Sequence, residues 1–182
     1  MEDYVFILDY LPQGRMEERA FKRTPLALAI GEDEFKLFEL IPKMNVTLRV
    51  GERVYIGKDL ANREKIEHVK RRIAFDELTN AARGEAEFVV EDIVKAQENK
   101  FINFFNSAGP ITTRYHMLEL LPGLGKKTMW SVIEEREKEK FKNFSDLESR
   151  VKTIHHPEKL ITKRIMMELD QRDIKYKIFV AK

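Results

Sequence analysis

The first 60 residues contain five short apolar runs rich in β-branched and aromatic residues, with turn residues between them and no helical period. They cover 4–8, 26–31, 35–40, 46–50 and 53–57. Runs of this length bounded by Gly, Pro, Asn and Asp read as strands. Five strands in succession without intervening helices predict a small β-barrel. Residues 12–25 join the first two runs by a loop longer than a hairpin needs, with Arg15, Arg19, Lys22 and Arg23 around Phe21. Long loops on small β-units are common binding segments.

From Asn62 the spacing changes, with Ile66, Val69 and Ile73 recurring at three and four, which predicts helix. His68 then falls on a solvated helix face. A second helical stretch runs from about Val90 to Phe105, with Ile93, Val94, Phe101, Ile102 and Phe105 apolar, until Ser107-Ala108-Gly109-Pro110 breaks it. The organisation read from the chain is α+β: a barrel over 1–60, a helical connector over 61–110 with a domain junction near its end, and a helical domain over 111–182. The closing run Tyr176 to Val180 is expected as a strand returning to the barrel edge.

Of the 182 residues none is cysteine, which removes disulfides, thiolate nucleophiles and sulfur-built zinc sites. The longest apolar cluster, Leu26 to Ile30, is far short of the roughly 18 residues a membrane helix needs, and the chain opens on Glu2 and Asp3 rather than a basic segment. The expectation is a cytoplasmic protein without anchor or signal peptide. The net charge of +2 hides an asymmetry: residues 1–112 carry 17 Lys and Arg against 20 Asp and Glu, whereas residues 113–182 carry 16 against 11. A polyanionic partner is therefore expected at the C-terminal third.

That third contains Leu120-Leu121-Pro122-Gly123-Leu124-Gly125-Lys126-Lys127, preceded by Thr113 to Glu119 and followed by an apolar-periodic run through Arg136. It reads as helix, tight turn, helix. The glycines let backbone approach a ligand closely, the second helix opens with free amides, and the two lysines add charge where the helix dipole is positive. Such an end is a phosphate seat. Trp130 is expected to anchor the packing of this unit.

The stretch 120–136 resembles the helix-hairpin-helix motif of nucleic-acid-binding proteins. The resemblance implies phosphate contacts at Gly123, Leu124, Gly125, Lys126 and Lys127 without base readout, no cofactor, and at most a monovalent cation on the loop carbonyls. Ser145 and Glu148 are spaced as a capping box for the next helix. Residues 151–161 form a glycine-free pseudo-copy of the hairpin, with Lys159, Lys163 and Arg164 adding diffuse charge. Across its full length, through Gly51 to Gly57, Phe104 to Ala108, His116 to Gly125 and the Tyr-x-x-Phe-Val close, the chain resembles an archaeal family known as domain of unknown function 655. That family implies an OB-like N-terminal part and nucleic-acid binding, RNA above DNA. In an OB-like barrel, bases stack on exposed aromatics beside cations. Tyr4, Phe6, Phe35, Phe38 and Tyr55 read mainly as core, which leaves Arg15, Arg19, Phe21, Lys22 and Arg23 as the second candidate surface.

Other chemistry finds little footing. A Walker loop needs Gly at 120 and Ser or Thr at 127, where this chain has Leu and Lys. Asp146 lies about where a repair glycosylase would place its catalytic carboxylate, yet the surrounding signature is missing. His155 and His156 are adjacent and read as loop surface rather than metal ligands. The expected function is non-catalytic, sequence-tolerant RNA binding tied to translation or the ribosome. Two alternatives remain: a protein-docking adaptor in a translation or ribosome-assembly complex, and a DNA-repair-type glycosylase.

Overall fold

The computed structural model describes residues 2–15, 24–170 and 174–181. It is mixed α/β, with one five-stranded antiparallel sheet, a two-stranded hairpin and five α-helices among the described residues. The sheet strands are β1 (Tyr4–Leu11), β2 (Leu26–Gly31), β3 (Leu37–Pro42), β4 (Arg53–Tyr55) and β5 (Ile66–Ile73), in the order β4-β1-β2-β3-β5. There follow α1 (Asn80–Ala96), α2 (Glu98–Ser107), the hairpin β6 (Pro110–Thr112) and β7 (Tyr115–His116), then α3 (Lys126–Lys138), α4 (Phe144–Arg150) and α5 (Pro157–Asp170). The chain forms two compact units, one of residues 1–89 with 168–182 and one of residues 90–167. The helix break at 107–110 ends α2, but the compact units divide elsewhere.

In the first unit, Val5, Ile7, Ala29, Leu40, Val54 and Ile66 pack into one cluster with Leu48, while all of β2 is buried. Three segments of this unit differ from the expectation. Residues 46–50 are not a strand; Leu48 still packs inward, but the segment turns at Gly51, whose positive φ of 77° suits glycine. Residues 66–73, expected as helix, are the edge strand β5. Pairing to β3 skips Glu67 and Lys70, so both are bulges. A bulge restores the same face after three residues instead of two, which puts Ile66 and Val69 together and imitates a helical period. His68 is accordingly exposed on a strand.

The sixth expected strand, at 176–180, is also absent. Glu168, fully buried, accepts the consecutive amides of Ile178, Phe179 and Val180 at 2.9, 3.0 and 2.9 Å, and Ala181 donates to the Glu34 carbonyl. Amides directed to one carboxylate cannot form a ladder.

Glu39 at the centre of β3 is buried and faces Arg15 at 2.7 Å and Arg71 at 2.9 Å. Burial opposes its ionisation, but the hydrogen bonds from Arg71 and Arg15 outweigh it and hold the carboxyl below its ordinary pKa. A depressed folded pKa contributes stability above the unfolded value of about 4.3 and loses it as pH falls through the folded one. Glu39→Gln is expected to cost about 1–3 kcal/mol at neutral pH, between exposed and buried ion pairs, as measured by urea denaturation. The gap to the wild type should narrow in acid. A gap that stays constant would remove the charge of Glu39 from the explanation.

Candidate nucleic-acid interface

In the second unit the expected first helix of the hairpin is replaced. Residues 110–116 form the β6–β7 hairpin, and Met117–Leu120 is a single 3-10 turn. The turn is capped at both levels: His116 Nδ1 accepts the Leu118 amide at 3.1 Å, and Glu119 accepts the His116 amide at 2.8 Å. Burial, assisted by the charge of Arg136, lowers the His116 pKa, in keeping with its role as a neutral acceptor. β-Branched and polar residues at 112–114 and the Gly109-Pro110 break leave too little continuous helix former for a full helix.

The loop itself alternates. Leu118, Leu120, Leu121 and Leu124 are buried, whereas Gly123, Gly125, Lys126 and Lys127 are exposed. Leu124 spends its amide on the Leu121 carbonyl, so its part is to seat the loop. Arg164, expected to add diffuse surface charge, is instead buried and donates to the Leu120 carbonyl at 3.1 Å. Gly125 is the N-cap of α3, and no side chain caps it. The amides that open α3 therefore face outward beside two lysines, which is the arrangement that holds anions.

The two glycines serve different ends. Gly123 has φ +84°, where an L side chain is strained. Gly125 has φ −80°, and a Cβ built on it would meet nothing within 4 Å. Neither its backbone nor its neighbours require glycine there; what glycine leaves is room for something to approach the helix start.

The segment 151–156 lies alongside. The Thr153 hydroxyl is 3.0 Å from that of Thr128, and both loops line a small cavity of about 190 Å³ with Gly123 and His155. The second segment is thus a helical hairpin, α4 to α5, abutting the first. Its first helix is capped by Asn143, which accepts the Asp146 amide at 2.8 Å, not by a Ser145–Glu148 box. Glu148 accepts the His156 amide instead. The Lys142 amide, then Arg150, hold the Asp146 carboxyl below its ordinary pKa.

Trp130, expected to anchor the packing of this unit, is instead 57% exposed. Met129, Val132 and Arg136 supply the inward stripe of α3, with Arg136 donating to the Phe105 carbonyl at 2.9 Å. Trp130 falls off that stripe and, with Tyr115, Arg114 and Lys126, lines a cavity of about 470 Å³ between the β6–β7 hairpin and α3. The sequence did hold a signal for this: Lys126 and Trp130 are spaced i, i+4 and share a helix face. Of the loop candidates in the first unit, Arg15 is drawn inward to Glu39 and the Glu77 carbonyl. Arg19, Phe21, Lys22 and Arg23 lie outside the described residues. Phe35 and Phe38 are buried, and Tyr4 and Tyr55 pack edge to face at 5.2 Å.

A family described as protein of unknown function (DUF655) matches residues 1–181. The chain belongs to this DUF655 family. An uncharacterized protein of Methanocaldococcus jannaschii is 48% identical over 180 residues, covering 98% of this chain and 80% of that protein. The crystal structure of Af1531 from Archaeoglobus fulgidus, a DUF655 protein, superposes with a TM-score of 0.91 at 45% identity, covering 99% of this chain and all of that one. No helix among the described residues is long and apolar enough to cross a membrane.

The two glycines make separable predictions. Gly123→Ala is expected to destabilise the fold by about 1–2 kcal/mol, the cost of a left-handed L residue. Gly125→Ala should cost up to about 1 kcal/mol, because what is lost is the N-cap preference for glycine over alanine. Thermal denaturation of the two variants side by side checks the order, and an equal loss would mean that Gly125 has a packing role.

Proposed function

We propose that this DUF655 protein binds nucleic acid without catalysis, RNA in preference to DNA, by holding the phosphate backbone at the start of α3. Gly123, Gly125, Lys126 and Lys127 make the contacts, and Leu124 holds the loop beneath them. The observation that carries the reading is the uncapped helix start at Gly125, open to solvent and flanked by exposed lysines that form no ion pair among the described residues. The unit around it, residues 90–167, carries 14 Lys and Arg against 11 Asp and Glu.

The architecture supports this reading. The sheet order β4-β1-β2-β3-β5 would become a closed barrel if β4 met β5, which suits a partly open OB-like barrel. The 3-10 turn with α3, and α4 with α5, suit a pair of helix-hairpin-helix units that meet at Thr128 in the first turn of α3 and Thr153 in the α4–α5 loop. Asp146 is better suited to capping than to glycosylase chemistry, because its carboxylate is engaged by the Lys142 amide and Arg150.

Phosphate contacts release counterions, so affinity for an RNA oligonucleotide should fall linearly with salt on logarithmic axes. Lys126→Ala combined with Lys127→Ala is expected to weaken binding on all sequences alike and to reduce the slope by about one per lysine. Fluorescence anisotropy across a salt series measures both. An unaltered slope in the double variant would remove the start of α3 from the mechanism.

A further inference from the structure

We propose that the cavity between the β6–β7 hairpin and α3 receives one unpaired nucleobase, stacked on Trp130, which makes the ligand a single strand. The proposal rests on the phosphate reading of α3 and adds to it what phosphate contacts cannot supply, a distinction between strand and duplex. Trp130 and Tyr115 are 57% and 38% exposed, and they line the same cavity. Its volume of about 470 Å³ lies within the range of sites that enclose small ligands.

The chemistry of the walls selects the occupant. Lys126 and Trp130 are neighbours on one helix face, roughly 6 Å apart at Cβ. A phosphate beside a flat apolar ring is what such a pair fits, and a nucleotide presents both. Arg114 stands on the hairpin side, and neither it nor Lys126 has an ion pair among the described residues. The carboxylate in the lining, Glu119, is engaged by the His116 amide. A second aromatic cavity, beside Tyr4, differs in this respect: Arg53 is held by Glu32 and lies over the Tyr4 ring, and Lys65 is held by Glu52. Its cations are already neutralised.

A paired base is stacked on both faces and cannot enter such a site without leaving the helix, whereas a single strand offers bases freely. Every base has a π-face, so stacking keeps the sequence tolerance of the phosphate seat.

Trp130 is the chain's sole tryptophan, so its emission reports on this cavity alone. The experiment titrates the full-length protein with a short oligouridylate, the matching oligodeoxyuridylate, an abasic strand of the same length and a duplex, following emission and anisotropy together. The base-bearing strands should quench Trp130, while the abasic strand binds more weakly and leaves emission unchanged. The duplex, held by phosphate contacts alone, should leave Trp130 emission unchanged. Trp130→Ala should weaken binding of base-bearing strands by about fivefold to a hundredfold, the range of one base–aromatic stack, and leave abasic binding as it was. Quenching by the ribose strand alone would assign the ligand to RNA, and quenching by both to either strand.

Base-bearing and abasic strands that bind alike without a change in emission would overturn the cavity proposal and leave the phosphate reading standing. Failure of every strand to bind would overturn both. Quenching by an acidic peptide but by no strand would assign the cavity to a protein partner and equally overturn the proposal.

Discussion

The geometry of the candidate interface depends on where the leucines of residues 118–124 go. Four of them are buried, and the buried Arg164 guanidinium holds the carbonyl of Leu120 from beneath. With the apolar side chains committed inward, Gly123 and Gly125 have only the outward side, and the first amides of α3 follow. Desolvating a guanidinium is costly unless its hydrogen bonds are supplied, so Arg164 specifies this loop path rather than merely permitting it. A loop held by leucines alone could slide by a residue; one whose carbonyl must meet a buried cation cannot.

Charge is distributed by the same logic elsewhere. Glu2, Glu39 and Glu168 are buried, and each is matched by donors: Glu2 by the Asp33 and Glu34 amides, Glu39 by Arg15 and Arg71, Glu168 by three successive amides. No buried side-chain nitrogen or oxygen among the described residues lacks a hydrogen bond. Of these three carboxylates Glu2 and Glu39 belong to the acidic residues 1–112, which thus spend charge on their own architecture and draw in Arg15 of the long loop. Arg114, Lys126 and Lys127, by contrast, are exposed around one helix start. The composition asymmetry located the positive excess, and three of its exposed cations stand around the start of α3.

Much of this was legible in the chain. The helical residues Ile93, Val94, Phe101, Ile102 and Phe105 are all buried as their spacing predicts, and Gly123 adopts the positive φ its turn implies. Two of the differences share a cause: local pattern was reshaped by contacts distant in sequence. Two bulges gave β5 a false helical period. Glu168 drew the 178–180 amides away from a sheet edge. Trp130, expected to anchor the packing, is offset from Met129 and Val132 and lies outside. Large aromatics are commonly buried, so size is a fair prior until the inward stripe of the helix is counted.

Phosphate seat and aromatic cavity differ in the physics they would bring to one ligand. Attraction of a phosphate backbone to the amides and lysines at the start of α3 would be largely counterion release, would weaken with salt, and would carry no information about pairing or sequence. Stacking on an indole would neutralise no phosphate, so it would add nothing to the salt slope, and it would require an unpaired base. The i, i+4 placement of Lys126 and Trp130 joins the two on a single helical turn, where neither depends on a movable loop. A ligand using both would retain affinity at salt concentrations that strip away purely electrostatic binding, and would lose it on pairing with a complementary strand. That combination follows from which residues α3 turns outward, and it requires no readout of base identity.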